Sequence, residues 1–321
     1  MPSLWIDTVV VDRIMTTPRV VVLELQPADG TPLPAYEAGA HVDVRLDRTP
    51  GTALVRQYSL CGEHGNRKRY RIAVLREEQS RGGSEAIHRL AVGDHVHISA
   101  PRNNFRLSSA RRHLLFAGGI GITPLAAMAQ QLDATGGEYT LHYCARSATD
   151  VALSEWLSGH PRLVLHLDDE PDEQRLELRR ALGEPAEDTA VYVCGPGPFI
   201  DYVLDGARAL GWPPSVLHKE RFAPTAASDQ AGPGDGFTVR LSSSGAEYHV
   251  PPEESVLDVL LRNGVDAPSS CQQGICGECV VRVLAGEPDH RDDVLTDDER
   301  AGGLFTTCSS RALSPSIELD L

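Results

Sequence analysis

Four of the seven cysteines are spaced for shared chemistry: Cys271, Cys276 and Cys279 follow the pattern C-x4-C-x2-C, and Cys308 follows after 28 intervening residues. Thiolates at those intervals suit a [2Fe-2S] cluster, because one tight loop can wrap three sulfurs while a distant segment brings the fourth. Gly274 and Gly277 lie inside the loop, where a missing Cβ lets amide N–H groups approach sulfur. A structural zinc site uses the same residue types, but it usually presents paired C-x2-C knuckles, and the second pair is missing. Cys61, Cys144 and Cys194 occur singly.

A second constellation could hold a nucleotide. The segment LLFAGGIGITPL (114–125) runs from an apolar strand into Gly118, Gly119 and Gly121, with Thr123 and Pro124 opening a helix. Glycines at such a turn admit a diphosphate, and the helix N-terminus offers free N–H groups. Glycines also serve plain tight turns. Further on, VYVCGP (191–196) ends a buried strand in Cys194, Gly195 and Pro196. In open α/β sheets ligands bind beyond the carboxyl ends of the strands, so Cys194 is placed to face a nicotinamide. Its bland reading is an inert buried thiol. Arg56, Gln57, Tyr58 and Ser59 on a strand, and Arg81, Gly82, Gly83 and Ser84 before a helix, supply an arginine, an aromatic ring, hydroxyls and glycine amides for a phosphate and a ring system.

These groups need three kinds of scaffold. Residues 1–108 carry short alternating or β-branched runs separated by Pro, Gly and Asp turns, which predicts an antiparallel β-barrel. Residues 109–223 alternate strands (114–117, 139–143, 163–167, 190–193) with helices (125–132, 173–182, 199–210), which predicts an α/β domain with a parallel sheet. Residues 224–236, rich in Ala, Gly, Pro and Ser, read as a linker. Residues 237–321 form a third unit with a hairpin (237–241 and 247–250), a helix (256–263) and later strands.

Across these segments the motifs RQYSL, RGGS, PRNNF, AGGIGITP, YVCGPGP, ERF, CQQGICGEC and DHRDDVLTDDE follow one another. Together they resemble the phthalate dioxygenase reductase family, within the ferredoxin–NADP reductase superfamily. The resemblance implies a multi-domain chain: flavin barrel, NAD domain and C-terminal β-grasp [2Fe-2S] ferredoxin. It implies that the flavin ring lies against Arg56, Tyr58 and Ser59, bordered by Ala73, Val74, Leu75 and Thr123. Its phosphate would be held by Arg56 and the Gly82-Gly83-Ser84 turn. Phe222 would lie near the ring where nicotinamide enters. FAD is the commoner flavin of the superfamily, and RGGS favours FMN here. NADH is the implied donor; Arg146, after the second strand of the parallel sheet, could instead meet the 2′-phosphate of NADPH.

Hydride carries two electrons and a [2Fe-2S] cluster accepts one, so a flavin between them joins the two halves. The expected acceptor is an oxygenase component, a Rieske-type hydroxylase or O-demethylase ahead of a cytochrome P450. A stand-alone quinone reductase and a redox-sensing interaction module are the alternatives. The formal charge of −15 opposes binding to nucleic acid or anionic lipid. Residues 237–321 hold 15 Asp and Glu against 6 Arg and no Lys, so an acidic face around Asp289–Glu299 could steer the partner; solubility explains such a face equally. The longest uncharged stretch, 113–132, is broken by three glycines and a proline, so no membrane span is expected. Asp7, Asp12 and Arg13 interrupt any apolar signal core. The expectation is a cytoplasmic monomer.

Overall fold

The alternating N-terminal runs become antiparallel strands in the computed structural model, which describes residues 5–49, 52–78, 82–171, 174–223 and 236–321. The strands are β1 (Ile6–Thr17), β2 (Val20–Pro27), β3 (His41–Thr49), β4 (Thr52–Ser59), β5 (Tyr70–Leu75) and β6 (His95–Ile98). Their order is β4-β3-β6-β1-β2-β5, and a bridge between Leu60 and Ile72 joins the two edges into a barrel. Strand β2 is apolar on successive residues because both of its faces are covered. Val21, Leu23 and Leu25 fill the barrel, while Val20 and Val22 join a core containing Leu115, Ile122, Leu125 and Tyr192 from the next sheet and its first helix. Side chains alternate across a strand, so one run of valines and leucines serves two cores.

The second sheet consists of β7 (Arg112–Gly118), β8 (Glu138–Ala145), β9 (Leu163–Leu167), β10 (Thr189–Cys194) and β11 (Leu217–Glu220). All pairs are parallel, in the order β11-β10-β7-β8-β9. Helix Ile122–Thr135 covers one face, and helices Leu178–Leu182 and Gly197–Ala209 cover the other. The helix expected over 173–182 is corrected to Leu178–Leu182: the Glu177 carboxylate accepts the N–H groups of Arg179 and Arg180 and starts the helix there. Strand β11 escaped the sequence reading because its four residues LHKE show no apolar run. Barrel and parallel sheet belong to one compact unit, Met1–Arg221, and Phe222–Leu321 forms a second. Most of the proposed linker, 224–235, lies outside the described residues.

The second unit contains β12 (Phe237–Leu241), β13 (Glu247–Val250), β14 (Val280–Ala285), β15 (Pro288–Asp289), β16 (Leu304–Thr306), β17 (Arg311–Ala312) and β18 (Ser316–Leu319). Five form a mixed sheet, β13-β12-β18-β14-β16, with β12 and β18 parallel. Helix Val256–Arg262 starts at a capping box between Ser255 and Asp258. Its Val256, Leu257, Val259 and Leu260 share a core with Val239, Phe305, Ile317 and Leu319.

One polar pair interrupts the apolar core of the parallel sheet. His142 stacks on Phe116 at 4.9 Å and meets His166 at 3.0 Å between ring nitrogens. Burial pushes His142 down to about 4, and the neighbouring His166 adds to the shift. The unfolded chain therefore binds a proton that the folded chain refuses, so stability present above the ordinary histidine value of 6.5 is lost as pH falls through about 4. The cost at the acid end is on the order of 3 kcal/mol. His142→Asn offers a carbonyl in place of Nδ1, and its melting temperature should depend less on pH across that window than that of the parent.

Candidate flavin, nicotinamide and iron–sulfur sites

The carboxyl ends of β7 and β10 meet through backbone alone. A Cβ on Gly121 would stand 2.2 Å from the Cys194 carbonyl oxygen, and one on Gly118 2.7 Å from the Phe199 ring. These two glycines are required by protein packing, while Gly119, at φ +54°, opens into free space. Thr123 and Pro124 are buried in the helix that follows, and Thr123 Oγ1 donates to the Ile120 carbonyl at 3.1 Å. That helix and Gly197–Ala209, which Gly195 and Pro196 precede, both begin without a side-chain cap. Their first N–H groups are free of such a competitor for an anion.

In the register of β10 with β11, Cys194 lies beside Glu220. Glu220 is half-buried as a residue, but its carboxyl is enclosed and hydrogen-bonded to the Ser59 side chain at the end of β4; that burial pushes the carboxyl up to about 8. Its Oε2 has no hydrogen-bond partner among the described residues. Burial, and after it the Glu220 charge, pushes the Cys194 thiol well above its ordinary range, so this cysteine is no thiolate nucleophile. Ser59, Cys194 and Glu220 thus bring the barrel and the parallel sheet to one polar point. The sequence reading quoted Glu220 within ERF but gave it no role. The sequence carried no signal for it, because LHKE shows no apolar run that would mark Glu220 as a strand end.

The remaining predicted residues divide by face. Arg56 lies across Gly83, where a Cβ would stand 2.7 Å from its Cγ, and Gly82 takes a left-handed conformation at φ +92°. Ser84 Oγ accepts the Glu77 N–H at 3.1 Å. Ala73 and Leu75 face the core shared with the parallel sheet, whereas Val74 and Tyr58 pack with the barrel interior. Gln57 approaches His41 at 3.2 Å and the Asp43 carboxylate at 3.3 Å. Arg146 is exposed. Phe222 is 38% exposed, and Arg81 lies outside the described residues. An arginine laid over a glycine turn, with an unpartnered buried carboxyl oxygen beyond it, fits a phosphate-bearing ring cofactor and a nicotinamide.

In the second unit the four cysteines converge. Cys279 Sγ and Cys308 Sγ are 3.2 Å apart, and the Cys271 sulfur takes hydrogen bonds from Cys276 and Cys308. Gln273 N–H donates to Cys271 Sγ at 3.3 Å and Gly274 N–H to Cys308 Sγ at 3.2 Å. Hydrogen bonds from neighbouring thiols pull Cys271 and Cys279 downward. Four sulfurs with backbone N–H groups aimed at them fit the donor set that a [2Fe-2S] cluster would need.

Comparison with known proteins identifies two of the domains. Residues 115–205 match the oxidoreductase NAD-binding domain, and residues 239–313 match the 2Fe-2S iron-sulfur cluster binding domain. The chain is 47% identical to the vanillate O-demethylase oxidoreductase of Pseudomonas sp. (strain HR199 / DSM 7063), over 98% of this chain and 100% of the relative. It is 39% identical to the phthalate dioxygenase reductase of Burkholderia cepacia, over 93% and 92%. A solved phthalate dioxygenase reductase superposes with a TM-score of 0.76 at 36% identity, covering 99% of this chain and 98% of that one. The chain belongs to the phthalate dioxygenase reductase family. It is an NAD(P)H-dependent iron–sulfur oxidoreductase of the kind that serves oxygenase systems as their reductase component. Among the described residues no helix is long and apolar enough to cross a membrane.

Within this reductase the Glu220 carboxyl holds a proton up to about pH 8. The rate of flavin reduction by NADH should therefore change through that pH. Glu220→Gln, which keeps the shape and cannot ionise, should remove the inflection in a stopped-flow pH profile; an inflection that survives assigns it to another group.

Proposed function

We propose that this reductase takes hydride from NADH at the Ser59–Cys194–Glu220 point and delivers electrons through FMN and a [2Fe-2S] cluster to a partner oxygenase, a Rieske-type hydroxylase or O-demethylase. The observation that carries this reading is the presence in one chain of a buried proton-holding carboxyl at the strand ends and a four-sulfur set in a separate unit. Full-length similarity to a vanillate O-demethylase oxidoreductase supports the class of partner. A flavin accepts the two electrons of a hydride and returns them singly, which suits it to stand between nicotinamide and cluster.

The chain's own residues supply binding, orientation and protons. Arg56 with Gly82, Gly83 and Ser84 holds the flavin phosphate, and the RGGS form of that turn supports FMN. Gly119 and the two uncapped helix starts receive the dinucleotide phosphates. Ser59 orients the Glu220 carboxyl, which keeps its proton at neutral pH, and Cys194 contributes a neutral thiol to the same point. Cys271, Cys276, Cys279 and Cys308 ligate the cluster, with the Gln273 and Gly274 N–H groups stabilising sulfur charge.

The acidic face is narrower than the sequence suggested. Asp289 pairs with Arg291 at 2.7 Å and the Asp292 side chain is fully buried, whereas Asp297, Asp298 and Glu299 stand exposed. These three are the groups we assign to steering a basic partner, chiefly through association rate.

Acid-extracted flavin should have the mass of FMN; recovery of FAD overturns that assignment. Cys308→Ser should lose the native cluster absorption while NADH still bleaches the flavin, and an unchanged cluster spectrum removes Cys308 from the ligand set. Turnover with NADH should accelerate on adding an oxygenase component, more strongly at low salt. Saturating turnover with quinones alone, unaffected by any oxygenase, marks a stand-alone reductase instead.

A further inference from the structure

Asp292 belongs to the acidic run DHRDDVLTDDE, yet its carboxylate is buried completely. Three donors from different parts of the second unit reach it: the Leu295 N–H at 2.8 Å, the Ser310 hydroxyl at 3.3 Å and the Arg300 guanidinium at 3.4 Å. The same Arg300 nitrogen donates to the Asp292 carbonyl at 2.7 Å. A buried charge persists only when paired and hydrogen-bonded, and this one meets that condition through two donors from the segment that follows it and one, Ser310, from beside Cys308.

The gathering forms a closed circuit. Ser310 lies two residues beyond Cys308, and its oxygen also accepts the Arg291 N–H at 3.2 Å. The next residue in the run, Asp293, donates its N–H to the Gly274 carbonyl at 2.9 Å, and Gly274 donates its own N–H to Cys308 Sγ at 3.2 Å. Gly274 sits at φ +71°, and a Cβ there would lie 3.1 Å from Asp292 Cα and 2.5 Å from Ser309 Oγ. The circuit therefore runs from the Asp292 carboxylate through Ser310 to Cys308, across the N–H···S bond to Gly274, and back to Asp293.

We propose that Asp292 is a positioning residue that fixes Cys308 against the Cys271–Cys279 loop and so sets the Gly274 N–H···S contact. The proposal rests on the ligand assignment made above. With the carboxylate gone, Ser310, the Leu295 N–H and Arg300 lose a shared acceptor, and the segment bearing Cys308 is released from the loop. Asparagine keeps the shape but replaces one acceptor oxygen with an NH2 group, so it strains the circuit without opening it.

The test uses the full-length holoprotein, with iron and acid-labile sulfide per chain, flavin per chain and the EPR spectrum of the reduced cluster as readouts. Asp292→Ala should lose at least about fivefold in iron and sulfide while flavin content and NADH-dependent flavin bleaching hold. Asp292→Asn and Ser310→Ala should keep iron but shift the EPR line positions, because ligand placement and the N–H···S bond have moved. A wild-type protein without iron, or an unchanged cluster in Cys308→Ser, undoes the ligand assignment. Full iron in Asp292→Ala, or wild-type spectra in both Asp292→Asn and Ser310→Ala, overturns the positioning role alone.

Discussion

The first unit depends on a close approach of backbone to backbone at the carboxyl ends of β7 and β10. With 2.2 Å between a notional Gly121 Cβ and the Cys194 oxygen, no other residue fits without moving one strand end. The parallel register then places Glu220 beside Cys194. Burial follows from that placement, and the raised carboxyl follows from burial. The proton chemistry at this point thus descends from a steric condition on glycine.

A second constraint is the double use of apolar strands. β2 and β5 send alternate residues into the barrel and into the core shared with the parallel sheet. That sharing holds Ser59 at the end of β4 within reach of Glu220 at the end of β11. A barrel with a polar outer face at Val20, Val22 and Ala73 could not present Ser59 so rigidly. The second unit has a hydrophobic core of its own, and a buried carboxylate adds polar ties between Asp292 and the segment that carries Cys308.

Much of this was legible in the sequence, where the chemistry is local. The spacing of Cys271, Cys276 and Cys279 is a property of one loop, and the apolar and β-branched runs of strands such as β1, β2, β7 and β10 are carried by the residues themselves. What could not be read depends on neighbours far along the chain. Glu220 looks like an ordinary charged residue in LHKERF until β10 and the barrel bury it. Asp292 looks like one more member of an acidic surface, because sequence shows charge and conceals enclosure. The glycines of GGIG read equally as room for a diphosphate or as a tight turn, and the sequence could not show that Gly118 and Gly121 also make room for Phe199 and the Cys194 backbone.

The two-sided character of β2 and β5 also determines where this chain can be recombined. Exchanging the barrel alone would set a foreign surface against Leu115, Ile122 and Leu125, and each mismatch there costs packing, because protein cores are close-packed. Each hydrophobic core lies wholly on one side of the stretch between Arg221 and Phe237. A crossover in that stretch leaves every core with its original residues. For anyone building chimeric reductases, the first 221 residues are one inheritable block despite their two sheets, and the natural joint is the segment between β11 and β12.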